Sequence, residues 1–246
     1  MINSFSEYAK YYDQIYSDKN YKAEAQYISK ILKKKNLEIL EIGCGSGEHA
    51  VRLHKLGYKL IGVDSSGKMI SIAKRKNKKI IFLKRDGRYF RSKKKFDAII
   101  LLFHVINFFK SQRELNSFFL NSAYNLKKNG VIIFDFINLN ALKEHHPTKK
   151  KKIINLKKEQ FLIRKTFPTF NNVTKIFTIK FKILIYQSKS LIKQFLEIHR
   201  LKIHSEKELK KSYESYFRLF KVYKWMTFIN LGRQDDWHGT LIIKKK

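Results

Sequence analysis

The chain has one cysteine, two prolines and few acids, with 20 Asp and Glu against 53 Lys and Arg among 246 residues. A lone thiol, Cys44, excludes an intramolecular disulfide and gives no sign of an oxidising compartment. Two prolines leave little room for extended linkers, and 43% hydrophobic with 14% aromatic residues is the composition of a folded globular chain. Apolar runs long enough to span a membrane are also lacking. The longest, FDAIILLFHVINFF at Phe96–Phe109, carries Asp97, His104 and Asn107, which favours a buried strand and its loop. The opening MINSFSEYAKYY has no charged region followed by an apolar one, so a cytoplasmic location is expected. The length suits one large domain, or one domain with an insertion.

The shortage of acids leaves a formal charge of +33, which raises the question of nucleic acid. Such binding needs basic residues clustered on one face. Here the runs Lys33–Lys35, Lys93–Lys95, Lys149–Lys152 and Lys244–Lys246 fall at separate apparent loops or termini, and Ile and Asn are abundant, as in A/T-rich coding. Nucleic acid is therefore the disfavoured partner, and a small, anionic substrate drawn by the positive field is preferred. Monomer and homodimer remain equally open.

Apolar β-rich runs alternate with helical patterns, which predicts an α/β, Rossmann-like doubly wound sheet, mostly parallel with an antiparallel last strand. Strands are expected near 37–42, 59–63, 80–83, 96–102 and 131–136, with helices near 21–33, 48–56, 68–75 and 112–126. LKKNG at 126–130 should end the last of these with Gly130 in a left-handed position. After about residue 138 the pattern changes. The runs 161–167, 173–186 and 191–203 are long, β-rich and divided by turn-like NN and QSKS, which indicates an antiparallel β insertion after the fifth strand. Ser205 and Glu208 have capping-box spacing ahead of a helix to Tyr213, and strands at 219–226 and 237–243 close the sheet. The expected division is a helical lid at 1–36, a cofactor-binding unit at 37–140 and 204–246, and a β insertion at 141–203 bordering the substrate pocket.

The chemistry concentrates in LEILEIGCGSGEHA at Leu37–Ala50, a strand, a glycine-rich turn and a helix start. Read from Gly45, GSGEHA fits a G-x-G-x-x-A dinucleotide fingerprint and a nicotinamide-dependent oxidoreductase. A diphosphate on the helix N-terminus is poorly served by an acid beside it, however, and Glu41 stands two residues before Gly43. Glu41 favours a cation such as the ammonium and sulfonium of S-adenosylmethionine. Asp64, ending the second strand in KLIGVDSS, suits a ribose diol in either case.

EIGCGSG, the acid of GVD, the acid of LKRDGR and LKKNGVIIFDF together resemble the class I S-adenosylmethionine-dependent methyltransferases. The resemblance implies cofactor contacts from Glu41, Gly43, Gly45 and Gly47. It further implies Asp64 at the ribose, Asp86 with Gly87 at the adenine amino group, and Met69 over the adenine ring. Tyr12, Ser65 and Phe103 complete the expected cofactor set. YYDQIYSDKNYKAEAQYI at Tyr11–Ile28, LLFHVINFF, EIHRLKIHSEKEL and YKWMTFINLGRQDDW are similar to amino-sugar N-methyltransferases and related surface-polysaccharide-cluster enzymes, in which the first segment forms a lid. Asn107 and Phe108 replace the Ser-Tyr often found in those relatives beside the substrate pocket.

The resemblance implies methyl transfer to N or O of a small acceptor, a nucleotide-linked amino sugar or capsule precursor. His104, just past the fourth strand, is the candidate general base for a hydroxyl, because catalytic groups gather at the carboxyl ends of parallel strands. Tyr16 is a candidate for catalysis and substrate contact, and His199, Arg200, Trp237 and His238 are further substrate candidates. Arg200 offers a bidentate donor pair for phosphate or carboxylate. Glu144-His145-His146 and His199 with His204 lack metal-ligand spacing. An RNA methyltransferase is the alternative. Base C5 chemistry requires a nucleophilic Cys in the fourth-strand loop and adenine N6 chemistry an Asn/Asp-Pro-Pro-aromatic loop there, and this chain has neither.

Overall fold

The computed structural model describes residues 7–145, 147–156, 159–232 and 236–246. After a short 3-10 turn at Tyr8–Tyr11 the chain forms α1 (Tyr12–Ile15), α2 (Tyr21–Leu32), β1 (Glu38–Ile42), α3 (Glu48–Lys55), β2 (Lys59–Asp64), α4 (Gly67–Lys76), β3 (Ile81–Lys84) and β4 (Phe96–Leu101). A 3-10 turn at Val105–Phe108 leads to α5 (Gln112–Asn125), β5 (Leu126–Ile137) and α6 (Leu139–Glu144). Then come β6 (Lys150–Asn155), β7 (Gln160–Asn171), β8 (Ile176–Gln187), β9 (Ser190–Lys202), α7 (Glu206–Tyr213), β10 (Phe217–Lys224) and β11 (His238–Lys245).

The main sheet is seven-stranded, in the order β10-β11-β5-β4-β1-β2-β3. Strands β1 to β5 pair in parallel, whereas β11 runs antiparallel between β5 and β10. Period-two alternation builds two cores from the same strands. Leu40, Ile42, Ile99 and Leu101 face Leu115, Phe118 and Phe119 of α5 and Leu209 and Tyr213 of α7. Ile39, Ala98 and Ile100 face Ala25 and Ile28 of α2, Leu53 of α3 and Ala73 of α4. Both faces are thus covered, as a parallel sheet requires. Ser205 closes the expected capping box, with the Glu208 side chain returning to the Ser205 backbone N–H at 2.7 Å.

The second sheet is a four-stranded antiparallel meander, β6-β7-β8-β9. The sequence patterns missed β6, because Lys149–Lys152 reads as a loop. The strand is an edge, where Lys150 and Lys151 are exposed and discourage further pairing while Lys152 turns to the Ile15 carbonyl and Asp18. Val173, 92% exposed, lies in the turn before β8 and not in a strand. Leu162, Phe181 and Ile183 pack on Tyr8 and Ile15, so residues 7–16 lie against this sheet, while α2 belongs to the main sheet's helical layer. The N-terminal segment expected as a single lid therefore packs in two places.

The α5–β5 junction departs from expectation. Helix α5 ends directly in the extended Leu126, the residue with positive φ is Asn129 at 63°, and Gly130 is not left-handed. Glycine serves close approach instead: a Cβ at Gly130 would stand 2.9 Å from Leu126 Cδ2 and 3.2 Å from the Asp97 carbonyl oxygen. Lys245 Nζ donates to the carbonyls of Ala123 and Leu126 at 2.6 and 2.9 Å, satisfying the helix end that glycine was expected to cap.

Candidate active site

The turn after β1 carries three left-handed glycines, Gly43 (φ +67°), Gly45 (+53°) and Gly47 (+80°), for different reasons. A Cβ on Gly43 would lie 2.6 Å from Val105, so the turn needs glycine to seat the 105–108 turn. Gly47, the N-cap of α3, has Phe82 and Ala73 at 3.0 and 3.1 Å and serves helix–sheet packing, away from the cavity wall. Gly45 has nothing within 4 Å of its would-be Cβ, leaving its backbone open to a ligand. Asp64 anchors this turn: Oδ2 accepts from Gly45 N–H at 2.9 Å and Oδ1 from Ser66 N–H at 2.8 Å.

Beside the turn lies a cavity of about 550 Å³, bounded on one side by Gly43, Gly45, Asp64, Ser65, Met69, Asp86 and Gly87. Met69 is positioned by α4, which Ser66 caps, accepting from Met69 N–H at 3.4 Å. Asp86 accepts from Arg88 through both oxygens, and that guanidinium lowers its pKa. Glu41 is absent from the lining. It lies 2% exposed beneath the turn, with His49 Nδ1 3.7 Å from Oε1 and no partner on Oε2. Burial first, and Asp64 second, push its pKa up to about 8. An orphaned buried carboxylate oxygen fits a cationic neighbour.

The opposite side is aromatic. Tyr12, Tyr16, Phe103, Phe108, Phe181 and Trp237 line it, with Arg164, His104, His199 and His238. Phe103 and His104 take left-handed backbone conformations, φ 71° and 63°, at the carboxyl end of β4, strain of about 1–3 kcal/mol each that the surroundings must hold. Asp135 of β5 holds it: its carboxylate accepts from His104 N–H at 3.0 Å, and Oδ2 lies 2.8 Å from His104 Nδ1. Burial pushes the Asp135 carboxyl up, but His104 beside it more than offsets this, so its pKa is lowered. The His238 ring lies tilted 4.5 Å from that of His104, and burial, then His104, lower its pKa to about 4, so it is neutral near pH 7.

Tyr16 meets Phe103 edge to face at 5.1 Å and receives a hydrogen bond from Tyr8 at 3.2 Å. Burial raises its pKa, which suits a wall and hydrogen-bond partner better than a base. Asp13 of α1 accepts from Ser46 of the glycine turn at 2.6 Å and pairs with Lys76 of α4 at 2.7 Å, pinning the N-terminal segment over the cavity. Asn107 is buried and donates to Lys202 carbonyl at 2.9 Å, joining the 105–108 turn to the second sheet, while Phe108 meets His199 at 5.8 Å.

Of the residues expected at the site, the structure gathers Tyr12, Tyr16, Gly43, Gly45, Asp64, Ser65, Met69, Asp86, Gly87, Phe103, His104, His199, Trp237 and His238 around one cavity. Arg200 is not among them; it is exposed on the outer face of β9, because its neighbour His199 takes the inward position. Arg164 and Asp135 were missed. Asp135 left a signal, a lone acid inside the apolar run VIIFDFI, since a buried carboxylate requires a partner. His204 Nε2 donates to the Phe109 carbonyl at 2.9 Å, as a packing group. His146, part of the stretch set aside as a metal site, lies outside the described residues.

Residues 39–130 match the methyltransferase domain family. This stretch is similar to that family's domain over the strands and helices that build the glycine-turn side of the cavity. The chain is 34% identical over 111 residues to a ubiquinone biosynthesis O-methyltransferase of Pelagibacter ubique (strain HTCC1062), covering 42% of this chain and 43% of that one. It is 27% identical over 134 residues to the dTDP-3-amino-3,4,6-trideoxy-alpha-D-glucopyranose N,N-dimethyltransferase of Streptomyces venezuelae, covering 52% and 56%. The chain spans about half the length of the curated relatives it matches. Its fold is that of S-adenosylmethionine-bound CalS10, an amino pentose methyltransferase from Micromonospora echinaspora involved in calicheamicin biosynthesis. The TM-score is 0.77, with 17% identity over 98% of each chain. Among the described residues, no helix is long and apolar enough to cross a membrane.

Proposed function

We propose that this chain moves a methyl group from S-adenosylmethionine to an N or O atom of a small anionic acceptor, a nucleotide-linked amino sugar or surface-polysaccharide precursor. The observation supporting this is the single cavity running from the Gly45–Asp64 wall to the aromatic face of the second sheet, which lets cofactor and acceptor meet out of water. Gly45, Asp64, Met69 and Asp86 would hold the cofactor, with Glu41 offering negative charge from beneath the turn. The bound cofactor supplies an electrophilic methyl carbon.

The remaining work belongs to the chain. Asp135 holds His104 through its backbone N–H and stands 2.8 Å from Nδ1, leaving Nε2 to take the proton of an acceptor hydroxyl or ammonium. Tyr12, Tyr16 and Phe103 close the cavity and orient the acceptor. The ion pair and hydrogen bond of Asp13 hold that cover in place. The amino-sugar reading draws on the Streptomyces venezuelae relative, whose own substrate is a dTDP-linked amino sugar. A screen of nucleotide-linked amino and neutral sugars with labelled S-adenosylmethionine tests it. Label transfer to one of them supports the proposal. Transfer only to RNA would overturn it.

A further inference from the structure

The acceptor end of the cavity has a charge asymmetry. Its lining includes Arg164, whereas the carboxylates of the lining, Asp64 and Asp86, both lie at the cofactor end. Arg164 stands mid-way along β7, in register with Lys152 and Ile183, and its guanidinium lies 5.3 Å from the rings of both Tyr16 and Phe181. Two aromatic faces strip water from the cation, which also meets the Tyr8 and Tyr16 hydroxyls. Arg164 Nε is buried without a hydrogen-bond partner.

The neighbouring carboxylates have nearer partners than Arg164, though its charge reaches Asp18. Asp18 is paired with Lys152 at 2.6 Å, and Glu197 lies 3.2 Å from His199 Nε2. No carboxylate among the described residues forms an ion pair with Arg164. A guanidinium between rings with no counter-ion is an arrangement that a protein structure rarely leaves uncompensated.

The geometry points to Arg164 as the seat of an oxyanion carried by the acceptor, a phosphate or carboxylate held beside Tyr16 at the methyl-transfer end of the cavity. This rests on reading the cavity as a methyl-transfer site. It selects charged acceptors over neutral sugars or quinol-like phenols, and it assigns to β7 the role expected of Arg200. Planar, bidentate donation suits either oxyanion.

The test is calorimetric titration of the full chain with inorganic phosphate, acetate and uridine diphosphate, each with and without saturating S-adenosylhomocysteine. Wild type should bind at least one, and Arg164→Gln should weaken that binding about tenfold or more, as expected when a charge-assisted hydrogen bond is lost. Arg164→Lys, which keeps the charge and loses the fork, should fall between them. A loss confined to uridine diphosphate and phosphate assigns the seat to a nucleotide-linked phosphate, and a loss for acetate assigns it to a sugar carboxylate. Equal affinities of wild type and both variants for every probe, or no oxyanion binding by wild type, overturns the assignment. S-adenosylhomocysteine binding is read separately. Its absence would count against the methyltransferase reading, while the titrations without it still decide Arg164.

Discussion

The cofactor wall of the cavity is made of backbone and short acids, whereas the acceptor wall is made of long side chains on a separate sheet. On the first, Gly45 leaves an open backbone and Asp64 is fixed by two N–H donors. On the second, rings and cations from β7, β8 and β9 project inward over a distance no turn could cover. The contrast teaches that the methyl donor is recognised by a conformation, readable as a motif, and the acceptor by a register, which is not.

The largest break of this comparison should come where the walls meet. His104→Ala or Asp135→Asn should lower kcat about 10²- to 10⁴-fold, the usual share of a general base, with S-adenosylhomocysteine affinity nearly unchanged. Steady-state kinetics with calorimetry checks this, and an equal loss in affinity would place His104 on the cofactor wall. Gly87→Ala comes next, because its Cβ would lie 2.2 Å from Ile42 Cγ2; a stability loss of about 1–3 kcal/mol should appear as a lower Tm.

Asp64→Ala should weaken cofactor binding by about 1–3 kcal/mol, read by calorimetry, while leaving oxyanion binding at the acceptor wall alone. Glu41 adds a pH signature. Its folded pKa, about 8, lies above the ordinary carboxylate value, so the folded chain keeps a proton that the unfolded chain releases. Stability of the cofactor-free protein should therefore fall as pH rises from the carboxylate range through about 8, and cofactor affinity should rise as the carboxylate forms. Thermal melts and titrations across that range should show both trends flattened in Glu41→Gln. The smallest effect is expected from Arg200→Ala, which should alter kcat/KM less than about twofold, in keeping with a surface substitution.

The same contrast explains what could be read in advance. Gly43, Gly45, Asp64 and the Ser205–Glu208 box depend on local spacing, and each lies where the spacing put it. Gly47 did not, because glycine at a helix start also answers to the packing of Phe82 and Ala73. Arg200 failed for a deeper reason: one residue of register reverses the face of a strand, and nothing local distinguishes His199 inward from Arg200 inward. Arg164 lies between Ile163 and Lys165 in a run with no motif, so its place in the cavity exists only after β7 pairs with β8. Likewise His104 and Asp135 are 31 residues apart and meet because β4 and β5 are neighbours.

The central claim, a cavity whose backbone wall holds a cationic methyl donor and not a dinucleotide, is tested most directly by calorimetry with S-adenosylhomocysteine and NADH on the full chain. Tight binding of S-adenosylhomocysteine and none of NADH is the expected result. Tight binding of NADH with none of S-adenosylhomocysteine would contradict it.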